Sequence, residues 1–348
     1  MKLRAGIVGL GSQWEPRYLP ALRALADRFE VRAVCEQVAH RARRAAAEFD
    51  AVPVDGFRAL AGRADIDVVL FLGDQWYGTA PVEAACTAGK AVYAAIGLPV
   101  DAHQAEGLRD RIERSGVAFM AELPRRHAPA TVRLKELLAT RLGTPRMLFC
   151  HRRVPLPGAV GGGREQADET RDLMELVDWC RYVQGSEPTS VIAVRHAERP
   201  GATSDDYRMM SLDFTPSAIP GDGPIAQISC GYYMPQRWEE AVGFRPPPAL
   251  QVVCDHGIAF VDMPTSLVWF DTAGRHQESL DSDRPVGEQM LLQFHRTVTS
   301  LVRRVSGLDD TLAAMRIVAA ADASAREGRR VFLDRSGPDP TADEQGRP

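Results

Sequence analysis

Acidic side chains on one face of a predicted helix are the first candidates for chemistry in this sequence. The spacing from Asp168 to Val183 predicts a helix, and residues three and four apart on a helix share a face. Asp168, Asp172 and Glu175 therefore point the same way, and the opposite face carries Leu173, Leu176 and Val177. In an apolar cleft the pKa of Glu175 would rise until the carboxyl exchanged protons near neutral pH. The alternative is an acidic first turn that stabilises the helix dipole.

A glycine-containing turn near the start of the chain predicts a phosphate-binding loop. An apolar run ends at Gly9 and Gly11, and an amphipathic stretch follows over 16–29. This strand–turn–helix pattern brings backbone amides to a pyrophosphate at the helix N-terminus. We expect Ser12 and Gln13 to offer hydrogen-bond donors to it.

Trp14 stands where a third glycine would complete the turn motif. A tryptophan cannot take the place of a glycine between helix and strand. We therefore predict that the helix starts later, with Pro16 or Pro20 in its first turn. Trp14 would then turn outward over the cofactor cleft, as a lid, a stacking surface or a block.

Glu36 ends the second predicted strand, where a carboxylate accepts hydrogen bonds from the adenosine ribose. A carboxylate there repels a 2′-phosphate, so NAD is favoured over NADP. Arg41 nearby keeps NADP as an alternative. Glu36 could equally be a solvated acid at the end of a strand.

Repeated strand–helix units over residues 1–122 predict a doubly wound parallel sheet of the Rossmann type. Residues 123–334 have strands at antiparallel spacing with a few helices, two of which close the fold over 288–327. We expect an α/β domain followed by an α+β domain on an open, mostly antiparallel sheet. The polar segment 335–348 predicts a disordered tail.

Composition narrows the class of partner. The 348 residues carry 42 basic and 46 acidic side chains, a net charge of −4, which argues against nucleic acid. Six scattered cysteines favour reduced thiols over disulfides or zinc, and no histidine is spaced to join the acids in a metal site. No apolar run has transmembrane length and only Met1 and Lys2 precede the first strand, so we expect a cytoplasmic protein without membrane contact.

The order of several motifs resembles the Gfo/Idh/MocA family of glucose–fructose oxidoreductases and inositol dehydrogenases. These motifs are Gly9-Leu10-Gly11, Val34-Cys35-Glu36, Ala88-Gly89-Lys90-Ala91-Val92, Arg125-Arg126-His127-Ala128-Pro129-Ala130 and the run from Leu312 to Arg329. The resemblance implies an NAD(P)-binding Rossmann domain followed by an open sheet domain. It also implies a sugar, cyclitol or related polyol as substrate, and a homodimer or homotetramer formed through the far face of the sheet.

The family's lysine after the fifth strand is missing. Its Glu-Lys-Pro signature aligns with Ala95, Ile96 and Gly97, although that lysine normally orients the substrate hydroxyl and shares its proton. The chain has only three lysines, Lys2, Lys90 and Lys135, and none is placed to replace it. We expect Ala95 to lie at the nicotinamide half of the cofactor, with Gly73, Asp74 and Gln75 after the fourth strand.

The family's catalytic histidine is also missing. Its helix signature aligns with the segment from Arg171 to Trp179, which puts Glu175 at the histidine and Asp178 at the final aspartate. The resemblance therefore implies Glu175 as a substitute acid/base, with Asp178 and Asp172 as the other catalytic candidates.

Cationic and aromatic residues are candidates for substrate binding. Arg125 and Arg126 follow the sixth strand, and His151 and Arg153 share one face of the next strand. If all face one cleft, they suit a carboxylated or phosphorylated substrate; salt bridges at the domain junction explain the arginines equally well. In relatives, a late strand and the loop after it often line the substrate pocket. In this chain that strand and loop carry Tyr232, Tyr233, Trp238 and Glu240, although the aromatic side chains could equally belong to the core or to a dimer contact.

Three functions remain open on the sequence alone. The first is an NAD-dependent oxidoreductase with Glu175 in place of the histidine. The second is a binding, scaffold or sensor protein of the same fold that has lost redox catalysis, which the two missing catalytic residues favour. The third is a hydrolase or lyase that uses bound NAD for transient oxidation, and it has no positive mark in the sequence.

Overall fold

The computed structural model describes residues 1–73, 77–95, 102–156, 166–196, 207–216, 222–235, 246–280, 284–300 and 305–333. Within these ranges the strands form two sheets, and helices pack on both. The predicted tail over 335–348 lies outside the described residues.

The N-terminal sheet is parallel and buried at its centre. Its strands are Leu3–Val8 (β1), Phe29–Cys35 (β2), Val52–Pro53 (β3), Val68–Phe71 (β4), Ala91–Ala94 (β5) and Phe119–Ala121 (β6). Its helices are Leu19–Ala24 (α1), Ala39–Ala47 (α2), Phe57–Ala61 (α3), Ala80–Thr87 (α4) and Ala102–Ser115 (α5). The strand order β6-β5-β4-β1-β2-β3 is that of a Rossmann fold, which confirms the predicted fold class.

The second sheet is mostly antiparallel, as predicted. Its strands are Pro145–Leu156 (β7), Ser190–His196 (β8), Tyr207–Asp213 (β9), Ile225–Pro235 (β10), Leu250–Cys254 (β11), Gly257–Asp262 (β12), Ser266–Asp271 (β13), Gly274–Ser279 (β14) and Val331–Phe332 (β16). The described strands lie in the order β14-β13-β12-β11-β7-β10-β9-β8-β16, and β7 and β10 run parallel. The sequence prediction omitted β14, because its residues are mainly polar, and β16, which has two residues.

The C-terminal segment returns to the first sheet. The helices after residue 123 are Pro129–Leu137 (α6), Gln166–Gln184 (α7), Val286–Thr299 (α8) and Leu308–Glu327 (α9). The two closing helices predicted over 288–327 are α8 and α9, and α8 ends at Thr299 because Ser300 has extended backbone. Val305–Ser306 (β15) then pairs in parallel with β6 at the sheet edge.

The two faces of the second sheet differ in what covers them. One face packs against α7 and α9, so Cys150 and Ile228 on that face are fully buried. Alternate residues point to the open face, which carries Met147, Val194 and Met209. The helix α7 also contacts the turn after β6, which brings its acidic face to the carboxyl edge of the first sheet.

Candidate active site

The turn after β1 fits closely against the end of β4. Gly9 and Gly11 have φ values of +70° and +49°, the left-handed region that glycine tolerates. A Cβ atom on Gly9 would lie 2.3 Å from the carbonyl oxygen of Gly73, and one on Gly11 would lie 2.3 Å from that of Leu72. Glycine is therefore required at both positions, and Gly73 lies against the turn as the predicted cofactor site needs.

Glu36 lies beside this turn. Its Oε2 accepts a hydrogen bond of 2.9 Å from the amide of Leu10, while Oε1 accepts a longer bond of 3.4 Å from Val38. The carboxylate is thus fixed at the end of β2 with one weakly engaged oxygen. Ala95 lies at the same sheet edge, where its amide N–H donates a hydrogen bond of 2.9 Å to the carbonyl oxygen of Phe71. The turn, this carboxylate and the sheet edge fit the adenosine ribose, pyrophosphate and nicotinamide of a dinucleotide.

Trp14 does not point over the cleft, and that prediction was wrong. The residue is only 4% exposed, and its ring packs edge-on against Phe49 with centroids 6.2 Å apart. The helix opens with a wide π-helical turn, Trp14–Tyr18, which gives a large side chain room to pack inward. The α-helix itself starts at Leu19 with Pro20 in its first turn. Of the two predicted positions, Pro16 and Pro20, the structure therefore has the second.

A small cavity joins the turn to α7. It has a volume of about 80 Å³ and room for only a few ligand atoms. It is lined by Ser12, Gln13, Arg17, Arg152, Arg171, Asp172 and Glu175. The structure therefore brings predicted phosphate-binding residues and predicted catalytic acids to one place.

Glu175 is surrounded by arginines. Its Oε2 lies 3.4 Å from Arg125 and 3.9 Å from Arg152, and its Oε1 lies 3.3 Å from Arg171. Burial alone would raise the pKa of Glu175, but Arg125, Arg171, Arg152 and Arg17 together lower it below its ordinary value of 4.5. The prediction of a raised pKa was wrong because the cleft is cationic rather than apolar.

The strand β7 places its basic residues on opposite faces. Arg152 faces α7 and pairs with Asp172 at 2.8 Å. His151 and Arg153 instead line a separate cavity of about 320 Å³ with residues from β9 and β10. His151 Nδ1 lies 2.7 Å from Ser229 Oγ there, and burial followed by the charge of Arg153 lowers the pKa of His151. The prediction that His151 and Arg153 share the cleft of Glu175 was therefore wrong, since alternate strand residues point apart.

The predicted pair Arg125 and Arg126 is also divided. The Arg125 guanidinium stacks over the ring of Trp179 at 5.2 Å and faces Glu175. Arg126 forms two hydrogen bonds with Asp178, at 2.8 Å and 2.5 Å, and a third with Asp310 at 2.8 Å.

Asp178 belongs to this second ion cluster and does not line the small cavity. Arg181 joins the cluster 3.3 Å from Asp178, and the Asp178 side chain is 3% exposed. Burial raises the pKa of Asp178 although Arg126 and Arg181 oppose the shift. The arrangement ties α7 to α9 and to the turn after β6, which is a structural task.

The sequence prediction missed Arg17 and Glu122, and it also missed Arg152 and Arg171 of the cavity lining. Arg17 lines the cavity, and its Nη1 donates a hydrogen bond of 2.9 Å to Glu122, which follows β6. Burial raises the pKa of Glu122, whereas Arg17 and Tyr18 oppose the shift. A signal was present, because a charged residue at the carboxyl end of a buried parallel strand lies at the ligand edge of the sheet.

The three lysines lie away from the cleft. Lys90 Nζ donates to the carbonyl of Ile66 at 2.8 Å, and Lys135 Nζ donates to that of Tyr182 at 3.0 Å. Lys2 is exposed before β1. None of the three lysines lines the cavity beside Glu175.

Several predicted residues lie outside the part of the chain that the structure describes. These are Asp74, Gln75, Ile96, Gly97, Trp238 and Glu240, together with the side chains of Asp168, Tyr232 and Tyr233. Among the described residues, no group of three or more histidine, cysteine, aspartate or glutamate side chains could hold a metal ion. No described helix is both long and apolar enough to cross a membrane.

The turn, the Rossmann strand order and the appended sheet define a class of two-sheet proteins with an N-terminal Rossmann sheet. Residues 3–122 match the Gfo/Idh/MocA model, which represents an oxidoreductase family with an NAD-binding Rossmann fold. The chain is thus similar to this family in sequence over its N-terminal sheet, and it is similar in fold to a solved structure over nearly its whole length.

Three individual proteins illustrate this similarity. A dTDP-3,4-didehydro-2,6-dideoxy-alpha-D-glucose 3-reductase from Actinomadura kijaniata is 31% identical over 141 residues, which span 39% of this chain and 41% of the relative. The aldose–aldose oxidoreductase of Caulobacter crescentus, solved with glycerol, has a TM-score of 0.79 at 18% identity and covers 96% of this chain and 100% of its own. A levoglucosan dehydrogenase solved with NADH and levoglucosan has a TM-score of 0.78 at 16% identity and covers 95% and 99%.

Proposed function

We propose that the protein is an NAD(P)-dependent oxidoreductase that acts on a CH–OH group of a sugar, cyclitol or related polyol. The observation that carries this proposal is the shared cavity, where Ser12 and Gln13 of the nucleotide turn meet Asp172 and Glu175 of α7. The similar proteins act on an aldose, on levoglucosan and on a deoxyhexose nucleotide, as their names state, and this supports the same conclusion.

NAD is the proposed cofactor, and Gly9, Gly11, Ser12, Gln13, Glu36, Gly73 and Ala95 would hold it. The Glu36 carboxylate at the end of β2 would accept hydrogen bonds from the ribose hydroxyls and repel the 2′-phosphate of NADP. When bound, the nicotinamide supplies the acceptor or donor of hydride.

Glu175 would serve the reacting hydroxyl as a proton acceptor. Because its pKa is lowered, the carboxylate is ionised at neutral pH and carries no proton to give. In this state it can accept the proton that oxidation of the hydroxyl releases. A base with so low a pKa is weaker than a histidine, so we expect its contribution to be near the lower end of about 100- to 10,000-fold.

Cofactor binding is the first test. Tryptophan fluorescence and thermal unfolding are measured with NAD, NADH, NADP and NADPH, and we expect a response that is strongest for NAD and NADH. Sugars and cyclitols are then screened for a change in NADH absorbance. An unresponsive protein at millimolar cofactor would disprove the proposal.

A ligand-binding protein without redox activity is the second candidate. The specific observation in its favour is that arginines surround Glu175 and hold it as a carboxylate, while the described lysines lie elsewhere. It predicts NADH binding and sugar binding with no turnover in either direction, a result that the same screen separates from the first proposal.

We also propose a homo-oligomer formed through the open face of the second sheet. That face exposes large apolar side chains at 38–57% of their surface. They are Met147, Ile192, Val194, Met209 and Phe270. Such a surface suits a second copy of the sheet. Sedimentation should show a dimer or tetramer that Val194→Arg with Met209→Arg converts to monomer; a wild-type monomer would overturn the proposal.

A further inference from the structure

Arg17 connects the cleft to a buried carboxylate. Its Nη1 donates to Glu122 Oε1 at 2.9 Å, and the Tyr18 hydroxyl donates to Glu122 Oε2. The Glu122 side chain is fully buried, whereas that of Arg17 is 24% exposed. The Arg17 guanidinium is therefore held on its buried side by Glu122, while part of the side chain faces the cavity.

The position of this pair in the sheet is informative. The amide of Glu122 bonds to the carbonyl of Ala94 at 2.8 Å, so Glu122 lies beside the end of β5. The lysine of the family signature would follow that end, where this sequence has Ala95 and then Ile96. Arg17 thus brings a positive charge to the sheet edge where the family signature has a lysine and this sequence has none.

A helix from the far end of the chain leaves space for this arginine. A Cβ atom on Gly287 would lie 2.7 Å from Arg17 Cγ and 3.1 Å from its carbonyl oxygen. The helix α8 can pass so closely only because that position has no side chain. Gly287 packs against the stem of Arg17 and Glu122 binds its guanidinium, so contacts at both ends of the side chain fix Arg17 in place.

We propose that Arg17 and Glu175 divide between them the two tasks of the missing lysine. Arg17 donates a hydrogen bond to the reacting oxygen and stabilises its negative charge, and Glu175 takes its proton. In oxidation the O–H bond breaks and its proton passes to Glu175, while the C–H electron pair leaves as hydride to NAD and a C=O bond forms. Arg17 keeps its own protons throughout. This inference rests on the proposed oxidoreductase function.

The test separates this role from a purely structural one. Arg17→Met alone leaves the buried Glu122 carboxylate without its counter-charge and is expected to destabilise the fold. The double variant Arg17→Met with Glu122→Gln removes both charges, so its thermal unfolding should return close to that of the wild type. Its kcat should nevertheless stay about 100- to 1,000-fold low, the usual cost of removing one donor to a developing oxyanion.

Further variants assign the effect to the guanidinium. Arg17→Lys, which keeps the charge, should recover kcat to within about 10-fold of the wild type, a smaller loss than removal of the donor. Glu122→Gln, which keeps Arg17, should retain more activity than the double variant. Arg23→Met, an exposed arginine on α1 paired with Glu48, is the matched control and should change neither stability nor kcat.

Three outcomes would overturn the proposal. Wild-type kcat in the double variant would show that Arg17 serves only the fold. A loss of NADH affinity of tenfold or more in that variant would make Arg17 a cofactor residue. A loss of kcat in Glu122→Gln as large as in the double variant would move the effect to Glu122. Failure of the oxidoreductase function itself is read separately, on the wild-type protein, as absent NADH binding or absent turnover.

Discussion

Two acidic side chains one helical turn apart on α7 meet arginines in different ways. Asp178 receives two hydrogen bonds from Arg126, at 2.5 Å and 2.8 Å, in a fork of matched geometry. The arginines nearest Glu175 lie 3.3–3.9 Å away, and this carboxylate borders a cavity. The hydrogen-bonding groups around Asp178 bind one another with no space between them, whereas those around Glu175 leave room for a ligand.

The comparison shows that residue type does not separate a structural ion pair from a site. Both carboxylates are nearly buried and both contact several arginines. Short bidentate geometry without adjacent space indicates a contact that holds elements together. Longer distances beside a cavity indicate groups whose remaining hydrogen-bonding capacity a ligand can use.

Breaking the closed cluster should have the largest effect. Asp178→Asn removes the buried counter-charge of Arg126 and Arg181, which keep only the more exposed Asp310 and Glu187, and the free energy of unfolding should fall by about 3 kcal/mol. Urea unfolding measures it. Glu187→Gln, which removes the exposed partner of Arg181, is the control and should cost less than about 1 kcal/mol. If the Asp178 variant were as stable as the wild type, the cluster would not hold these elements together.

Breaking the open cluster should change activity more than stability. Glu175→Gln keeps the shape but removes the proton acceptor, so kcat/KM should fall about 100-fold at unchanged NADH affinity. Steady-state kinetics with the substrate found in the screen measures this. The control is Glu136→Gln, a largely exposed acid paired with Arg133. Full activity in the Glu175 variant would remove that residue from the mechanism.

Trp14 tests whether the turn itself depends on inward packing. Trp14→Phe keeps an aromatic ring against Phe49 and should lower stability by about 1–2 kcal/mol. NADH affinity should stay the same, because the indole faces the core rather than the cofactor. A marked loss of NADH affinity with unchanged stability would instead indicate that Trp14 turns outward and contacts the cofactor.

The smallest expected effect is a pH dependence of opposite sign at two carboxylates. The pKa of Glu175 is below 4.5, so its ion pairs stabilise the fold above pH 4.5 and this contribution is lost as pH falls through the folded value. The stability difference between wild type and Glu175→Gln should therefore shrink at low pH.

Glu122 should behave in the reverse direction. Its pKa is above 4.5, so the folded state holds this proton more tightly than the unfolded state and loses that advantage as pH rises through the folded value. Relative to Glu122→Gln, the wild type should gain stability on acidification. Unfolding titrations of both variants across the acid range check the signs, and a common direction would contradict the two pKa shifts.

Much of the fold could be predicted because local patterns reflect burial. Apolar runs without alternation predicted the parallel strands, and Leu173, Leu176 and Val177 on one helical face predicted how α7 packs. The strand β15 was absent from the prediction, since two residues have no readable periodicity.

The candidate site was predictable only in part. Helical spacing correctly grouped Asp172 with Glu175, and strand alternation correctly grouped His151 with Arg153. The pattern could not say which face of β7 met the cleft, because both faces carry arginine. Three-residue spacing likewise could not reveal that Asp178 belongs to a different cluster from Glu175.

The sequence by itself determined the Rossmann turn, the parallel sheet and the mostly antiparallel second sheet. These are properties of local spacing and residue identity. Only the tertiary structure decided the charge of the cleft, since Arg17, Arg125, Arg152 and Arg171 come from four separate segments. Their summed field lowers a pKa that burial alone would raise, and such a sum depends on distances that no linear pattern contains.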